Sequence, residues 1–413
     1  MSMFFFSFGL SVLPPSVNSK MLLAVIGMGL AGYHALQNRA VKTDRAFLGA
    51  VAFAAVFSLI CLFSVDFNQT SDYSYVSYIV SFFVWIFSAY TVCTLIRGLH
   101  GRVDIPLLTY YLAGVCLAQS LLALAIDSWP VFQFWVNRYI DQDQDFLQEM
   151  DRLYGIGASL DNAGVRFSLV LVMIAAVLSK EEDLRESRWR IVLLLTAFFT
   201  IIVVGNMISR TTSTGAGLAL LYLIWNTGFF RLVLRRDFFR FHFIFTLMVG
   251  VALLVTTYFY RTDRIFHDHL RFAFEGFFNW IELGEWRTNS TDILSNMWVW
   301  PENMQGWLIG TGLFDNWVYG TDIGYCRFIM YCGLTGFAVF ALFFIYNAWV
   351  FARRHPLYRG MFMILMLFSF IVWIKVSTDI FLVYALFYAM DMLSRQPLLQ
   401  QEDEDYLLHR RNV

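Results

Sequence analysis

The chain of 413 residues is 58% hydrophobic and only 15% charged, whereas soluble domains carry about a quarter charged residues. Its mean hydropathy of +0.58, 43 phenylalanines and 13 tryptophans exclude an ordinary soluble protein and indicate a chain whose aromatic rings anchor it at membrane interfaces. The net charge of −1 gives no indication of a nucleic-acid partner. We therefore expect an integral membrane protein of the all-α class.

Apolar runs of about 17–25 residues are candidate membrane spans. Twelve can be placed in chain order, at 3–14, 20–37, 46–64, 75–96, 104–126, 164–180, 190–208, 213–231, 241–260, 326–352, 357–374 and 376–393. The first is short and ends at Pro14-Pro15, so it is either a tilted half-span or an interfacial helix. The last two meet at Lys375, which predicts a tight helical hairpin with a lysine at its tip. Together they predict one transmembrane domain at 1–395 and a tail at 396–413.

Lysine and arginine cluster in every second connection of this scheme, which orients the chain because positive residues are retained in the cytoplasm. The basic connections, among them 97–102, 180–190 and 353–359, are therefore predicted to be cytoplasmic, and so are both termini. The two enlarged connections, 127–163 and 261–325, fall on the opposite side, which we call the outer side. Long connections held between helices are where function concentrates, so we expect the functional face there.

Cysteine and histidine spacing indicates neither a disulfide framework nor a metal site. The five cysteines form no CxxC pair, and the seven histidines lack metal-ligand spacing. No carboxylate cluster suited to a metal is evident either, so we expect no metal and no cofactor. The first residues show no basic segment followed by a cleavage site, so we predict no removable signal peptide.

Arg210 lies in NMISRTTSTGAG, between two predicted spans on the outer side. With the hydroxyls of Ser209 and Thr211 beside it and a helix beginning at this point, the segment has the composition of a phosphate site. The alternative is a connecting arginine whose side chain reaches the lipid headgroups.

Arg287 opens EWRTNSTDILSNMW, whose apolar residues recur with helical spacing. It would supply a second guanidinium to the same polyanion, because arginine binds such groups in a bidentate fashion and several cations hold a diphosphate better than one. The alternative is a salt bridge with Glu282 or Glu285.

Asp322, Tyr325 and Arg327 fall within two turns in TDIGYCR, at the start of a predicted span. Asp322 could act as a general base or orient a substrate hydroxyl. The alternative is a helix cap with an arginine at the interface. The preceding GWLIGTGLFD, with its closely spaced glycines, predicts a turn.

Three further charged residues lie at the mouths of predicted spans: Arg152, Arg166 and Lys375. Charged groups at membrane depth are costly and are usually retained for function. The alternatives are that Asp161 caps the helix with Arg166 at the interface, and that Lys375 only anchors the hairpin.

These stretches together resemble the Wzy-type O-antigen and capsule polymerases, which belong to a wider group with the O-antigen ligases and the SEDS cell-wall polymerases. The resemblance lies in S-R-T-x-x-x-G at 209–215, in an arginine that opens a tryptophan-bearing segment ending in a glycine turn at 287–312, and in D-I-G-Y-x-R followed by Y-x-G-L-x-G at 322–336. The ligases carry a histidine just before this last span. Thr321 and Asp322 stand there in this chain, which favours a polymerase.

The resemblance implies a GT-C-like glycosyltransferase of the bacterial inner membrane, independent of metal, with its active site on the periplasmic side. It would polymerise oligosaccharide repeats carried on undecaprenyl pyrophosphate, moving the growing chain from its lipid to a hydroxyl of the next repeat. A chain-length regulator and a flippase of the same pathway would be partners. The catalytic residues would be Arg210, Arg287 and Asp322. The substrate-binding residues would be Arg152, Arg166, Ser209, Thr211, Tyr325, Arg327 and Lys375.

Two alternatives stay open. An O-antigen ligase would transfer the glycan to lipid A core, and its loss would leave no repeat attached, whereas loss of a polymerase leaves one. A transporter of lipid-linked oligosaccharides would place its charges along a cavity within the bilayer, whereas these charged residues gather at the predicted outer rim.

Overall fold

The computed structural model describes residues 1–14, 17–38, 44–142, 152–182, 184, 187–226, 236–314 and 318–394. The predicted tail at 396–413, most of the acidic part of the first enlarged connection and Trp317 lie outside these residues.

The protein is built almost entirely of helices. In chain order the elements are α1 (Ser2–Phe5), β1 (Gly9–Leu10), α2 (Ser19–Asn38), α3 (Arg45–Phe67), α4 (Tyr78–His100), α5 (Ile105–Ser128), α6 (Pro130–Tyr139), β2 (Ile140–Asp141), α7 (Leu160–Lys180), α8 (Arg188–Ile208), α9 (Thr211–Asn226), α10 (Arg236–Thr262), α11 (Arg264–Ala273), α12 (Glu275–Leu283), α13 (Asn289–Ser295), α14 (Met304–Leu308), α15 (Gly324–Arg354), α16 (Arg359–Val372) and α17 (Phe381–Ser394). Eight of those described are long and apolar enough to cross a membrane: α2, α3, α4, α5, α7, α8, α10 and α15. This is the architecture of an all-α polytopic membrane protein.

Eleven of the twelve predicted apolar runs coincide with helices, but the first is wrong. The helix that begins at Ser2 ends after one turn. The chain then folds back on Ser19, whose hydroxyl donates to the Met3 carbonyl at 2.8 Å and accepts from the Phe8 amide at 3.1 Å. The predicted tight connection around Lys375 is also longer than expected, because residues 373–380 separate α16 from α17.

The N-terminal residues lie on the same side of the helices as the first enlarged connection. Gly9 and Leu10 of β1 pair antiparallel with Asp141 and Ile140 of β2. Four long helices, α2 to α5, separate the two strands and return the chain to its starting side. The predicted cytoplasmic N-terminus therefore conflicts with the predicted outer position of 127–163. The structure shows only that residues 1–14 and the first enlarged connection share a side; which side that is stays a prediction from the basic connections.

The helix α7 forms the centre of the fold. Of its most apolar window 89% is buried inside the protein, whereas none of the corresponding window of α10 is. It packs most extensively against α9, and Gly215 permits this approach, because a Cβ there would lie 2.3 Å from the Ser168 Cα. The glycine of the S-R-T-x-x-x-G pattern thus serves helix packing.

The helix α15 is broken at Gly333, where φ is 65° and ψ is −179°, a conformation almost restricted to glycine. The segment after α14 fills the break: the Thr311 amide donates to the Met330 carbonyl at 2.6 Å, and the Gly312 amide to the Tyr331 carbonyl at 3.0 Å. Carbonyls freed by the break are therefore satisfied within the protein, as a membrane interior demands. The glycine turn predicted near Gly312 is confirmed by the positive φ of Gly310 and Gly312, and it supports α15 at Met330 and Tyr331.

Replacing Gly333 by alanine should destabilise the protein by about 3 kcal/mol or more, because the backbone would be strained and the new Cβ would lie 2.3 Å from the Leu308 carbonyl oxygen. The matched control is Gly114→Ala in α5, where nothing lies within 4 Å of the added Cβ; it should change stability by about 1 kcal/mol or less. Denaturant unfolding of the detergent-solubilised protein measures both. Equal stabilities for the two variants would contradict this account of the break.

The second enlarged connection is a folded cap of short helices rather than a loose loop. It runs from the end of α10 to the start of α15, close to the predicted 261–325, and contains α11 to α14. The predicted helical periodicity after Arg287 is confirmed by α13, which begins with Thr288 as its N-cap. This cap holds several of the side chains described next.

Candidate functional site

Three of the predicted substrate-binding residues meet on one carboxylate, that of Asp161 in the first turn of α7. Its Oδ1 accepts hydrogen bonds from Ser209 Oγ at 2.9 Å, Thr211 Oγ1 at 2.7 Å and Lys375 Nζ at 2.7 Å. We call these four residues the Asp161 cluster. Asp161 thus binds side chains from other segments and is not the cap of its own helix, whose N-cap is Ser159.

Lys375 fixes the connection between α16 and α17 to the central helix. Besides its ion pair with Asp161, its Nζ lies 3.2 Å from Thr211 Oγ1. Close by, Thr378 Oγ1 donates to Asn162 Oδ1 at 3.2 Å. The side chains of Lys375 and Asp161 are 28% and 26% exposed, so solvent reaches the cluster. Lys375 therefore does more than anchor the hairpin tip, because its ammonium group forms an ion pair with Asp161.

Arg210 points away from the Asp161 cluster, since the residues on both sides of it are bound to Asp161. Its guanidinium forms an ion pair with Glu275 of α12, and Nη1 donates to Ser290 Oγ at 3.4 Å. The Phe272 ring centroid lies 4.0 Å from its Cζ. The side chain is only 16% exposed, so it does not simply extend to the headgroups.

The Arg210 guanidinium has hydrogen-bonding capacity to spare. Its Nε is buried and has no acceptor among the described residues. Burial lowers the pKa of the Arg210 guanidinium; the Glu275 carboxylate opposes this shift and the Arg152 guanidinium adds to it. An arginine nevertheless stays charged at any physiological pH. A buried donor without a partner is costly, which makes this position receptive to an anionic ligand.

Arg152 supplies a second guanidinium at the same ring. Its Cζ lies 4.9 Å from the Phe272 centroid, and within the described part of the chain it has no carboxylate partner. We call Arg152, Arg210 and the Phe272 ring the Phe272 arginine pair. Among the described residues Glu275 is the carboxylate bound to the pair, so two guanidiniums there face one carboxylate.

Arg287 is held elsewhere. Its side chain is 64% exposed, and its Nε donates to both carboxylate oxygens of Asp292, at 2.9 and 2.7 Å. The alternative partners, Glu282 and Glu285, are wrong, since Glu282 binds Arg271 in a bidentate pair.

Both predicted clamp arginines contact α13, but at different positions. Arg210 donates to Ser290 and Arg287 to Asp292. These positions are about 200° apart around a helix axis. The structure therefore brings the two arginines to one short helix, each with its own carboxylate, and their joint action on one ligand stays a prediction.

Asp322 is half-buried and forms no hydrogen bond or ion pair with any described residue. Burial raises the pKa of its carboxyl group, the Asp161 carboxylate raises it further, and Arg327 and Lys375 oppose these effects. Asp322 is therefore within electrostatic range of Asp161 and Lys375 of the Asp161 cluster. Its oxygens are free to accept a proton, as a general base requires.

Tyr325 and Arg327 bind the segments that lie next to Asp322 rather than Asp322 itself. The Tyr325 hydroxyl donates to the Phe370 carbonyl at 2.8 Å. Arg327 donates to the Phe314 carbonyl at 2.7 Å and to Ser377 Oγ at 3.0 Å, and its Cζ lies 4.0 Å from the Phe314 centroid. Both side chains hold the segments around Asp322 together, and their predicted contact with substrate stays a prediction.

Sequence reasoning did not find Phe272 and Glu275, which hold the arginine pair. They lie in the cap, more than sixty residues from Arg210 along the chain, and no motif or periodicity marks them. Within the described ranges, no three His, Cys, Asp or Glu side chains come together in a way that could hold a metal ion. No protein-family model, curated protein or solved structure matches this chain.

Proposed function

We propose that this protein is a membrane glycosyltransferase that polymerises oligosaccharide repeats carried on a polyprenyl diphosphate, as its resemblance to the Wzy-type polymerases implies. The observation that carries the proposal is the Phe272 arginine pair, in which the buried Arg210 Nε has no acceptor among the described residues. The Asp161 cluster binds the residues on both sides of Arg210, and its carboxylate also influences Asp322, which has no partner among the described residues. An anion clamp and a base at neighbouring positions are what transfer from a diphosphate leaving group requires.

The arginine pair would hold the diphosphate of the donor. Negative charge builds on the bridging oxygen as the bond between the sugar and the diphosphate breaks, and preorganised guanidiniums stabilise that charge. The acceptor hydroxyl forms the new glycosidic bond to the same sugar carbon and gives its proton to Asp322. The lipid diphosphate leaves with the bonding electrons. The Asp161 cluster positions the Arg210 turn and Lys375 relative to each other.

Purified protein with a synthetic lipid-linked repeat tests the proposal. A polymerase yields a ladder of products that grows by one repeat at a time and releases one lipid diphosphate for each bond formed. Product that forms only when lipid A core is added would establish the ligase instead. Movement of the lipid-linked repeat between leaflets without any new bond would establish a transporter.

One observation favours the transporter alternative. Charged side chains also lie further into the helix bundle, at Lys20, Arg166 and Asp379, and not only at the outer rim. A carrier uses such groups along its path. The product assay described above decides between the two, because a carrier forms no glycosidic bond.

Replacing Asp322 by asparagine should lower the rate of bond formation by about a hundredfold or more, since a general base of this kind contributes at least that much. In the unmodified protein the rate should fall as the pH drops through the pKa of Asp322, which lies above the usual aspartate value, because the carboxylate is a base only when deprotonated. Initial rates measured against pH show this limb. An Asp322→Glu variant should retain part of the rate and a similar limb. Unchanged rates and an unchanged pH profile in Asp322→Asn would remove Asp322 from the reaction.

A further inference from the structure

A second group of charged side chains lies further along the central helix than the Asp161 cluster. Arg166 follows Asp161 by five residues on α7, about 7.5 Å along the helix axis. Asn162, one turn before Arg166 on the same face, binds Thr378, which places the adjacent Asp379 near Arg166. Both Arg166 and Lys20, in the first turn of α2, interact electrostatically with the Asp379 carboxylate.

These three charged groups do not pair directly. No nitrogen of Lys20 or Arg166 lies within 4.0 Å of an Asp379 oxygen, and neither side chain forms a hydrogen bond with a described residue. Asp379 Oδ1 accepts the Phe381 amide, at 2.9 Å, and the Tyr78 hydroxyl lies close to the same carboxylate. Charges in a protein interior normally form close, hydrogen-bonded pairs. The donors of Lys20 and Arg166 are therefore available to a further polar species.

Aromatic rings lie beside both cations, and we call the space between Lys20, Arg166 and Asp379 the Lys20 pocket. Lys20 Nζ lies 4.1 Å from the Trp85 ring centroid, and Arg166 Cζ lies 5.7 Å from that of Phe6. Seven residues before Trp85 on α4, and hence on the same face, the buried Tyr78 hydroxyl lies beside the Asp379 carboxylate and interacts with it. Lys20 and Arg166 thus present donors that no described residue accepts, close to a single carboxylate.

We propose that the pocket between Lys20, Arg166 and Asp379 binds a phosphate group, as a second site besides the Phe272 arginine pair. Two cations against one carboxylate favour an anion, and guanidinium and ammonium donors suit phosphate oxygens. The aromatic rings beside the cations suit the hydrocarbon attached to a lipid phosphate. A polymerase must hold two lipid-linked substrates at once, so on the proposed function this pocket takes the diphosphate of the second one. The phosphate site itself does not depend on that assignment.

Calorimetric titration of the purified protein in detergent with inorganic pyrophosphate tests the site. Two molecules should bind to each chain. The variant K20Q/R166Q should lose one of them or bind it at least about tenfold more weakly, because charge-assisted contacts are removed. Asp379→Asn should bind it several-fold more tightly, because a like charge is removed. Unchanged binding in both variants overturns the proposal. The Asp379 variant keeps the test decisive if K20Q/R166Q does not fold, which its thermal unfolding shows.

The same titration in lipid nanodiscs identifies the source of the phosphate. Competition by phosphatidylglycerol, compared with phosphatidylcholine alone, would assign the pocket to headgroups of the surrounding bilayer. Binding that is insensitive to the lipid would assign it to the diphosphate of a substrate. Either result retains the site. If pyrophosphate binds at the pocket but no glycan ladder forms, the proposed function fails and this inference stands.

Discussion

Arg210→Ala should lower polymer formation by about a hundredfold or more in the purified protein. Loss of one preorganised donor to a developing negative charge typically has an effect of this size, and Arg210, whose side chain is 16% exposed, lies closer to the Phe272 ring than Arg152 does. Arg152→Ala should act in the same direction. Arg210→Lys should restore only part of the rate, because a lysine cannot reproduce the bidentate geometry. The measurement is the initial rate of diphosphate release from a synthetic lipid-linked repeat.

Arg287→Ala is the matched control for this experiment. Arg287 is exposed and bound to Asp292, so its loss should leave most of the rate if Arg152 and Arg210 form the clamp. The sequence predicted instead that Arg210 and Arg287 act together and that alanine at either abolishes long-chain glycan. A large loss of rate in both Arg210→Ala and Arg287→Ala would support the predicted clamp of Arg210 and Arg287 instead. A normal rate in Arg210→Ala would reject the clamp altogether.

Asp161→Ala should destabilise the protein by about 3 kcal/mol. The change leaves the Lys375 ammonium without its ion pair and the Ser209 and Thr211 hydroxyls without their acceptor, and loss of one partner from a largely enclosed pair typically has an effect of this size. Denaturant unfolding in detergent, followed by tryptophan fluorescence, measures it. The variant D161A/K375A should be less destabilised than the two single changes added together.

Asp292→Ala provides the control for this second experiment. It breaks the ion pair with Arg287, whose two side chains are 64% and 42% exposed, so it should change stability by about 1 kcal/mol or less. If the effects of Asp161→Ala and Lys375→Ala were simply additive, the two side chains would not depend on each other and the Asp161 cluster would not act as a unit.

The long apolar helices could be predicted because length and hydropathy are local properties of the chain. The run at 3–14 also met the criteria of length and hydropathy, but it does not form a long helix. Its conformation is set by contacts with distant residues, namely Ser19 and the strand pair with Ile140 and Asp141. The same strand pair places the first residues on the side of the connection at 127–163. The sequence had predicted these two segments on opposite sides.

The candidate site was predicted as a set of residue types and was assembled only by the fold. Ser209, Thr211 and Lys375 were singled out by their positions at helix ends, yet nothing local indicates that they bind one carboxylate. Asp161 looked like a helix cap, because an aspartate in the first turn is typical of one. Arg287 was matched with Arg210 by residue type, whereas Asp292, five residues away, holds it.

By itself, the sequence determined the membrane class, eleven of the helical segments, the two enlarged connections and the charged residues at the helix ends. These follow from burial in hydrocarbon, which each segment must satisfy on its own. Only the tertiary structure decided which charges come together: Arg152 with Arg210 at Phe272, and Lys375 with Asp161. Electrostatic and hydrogen-bonding partners act over a few ångströms, and packing of helices remote in sequence is what brings them within that range.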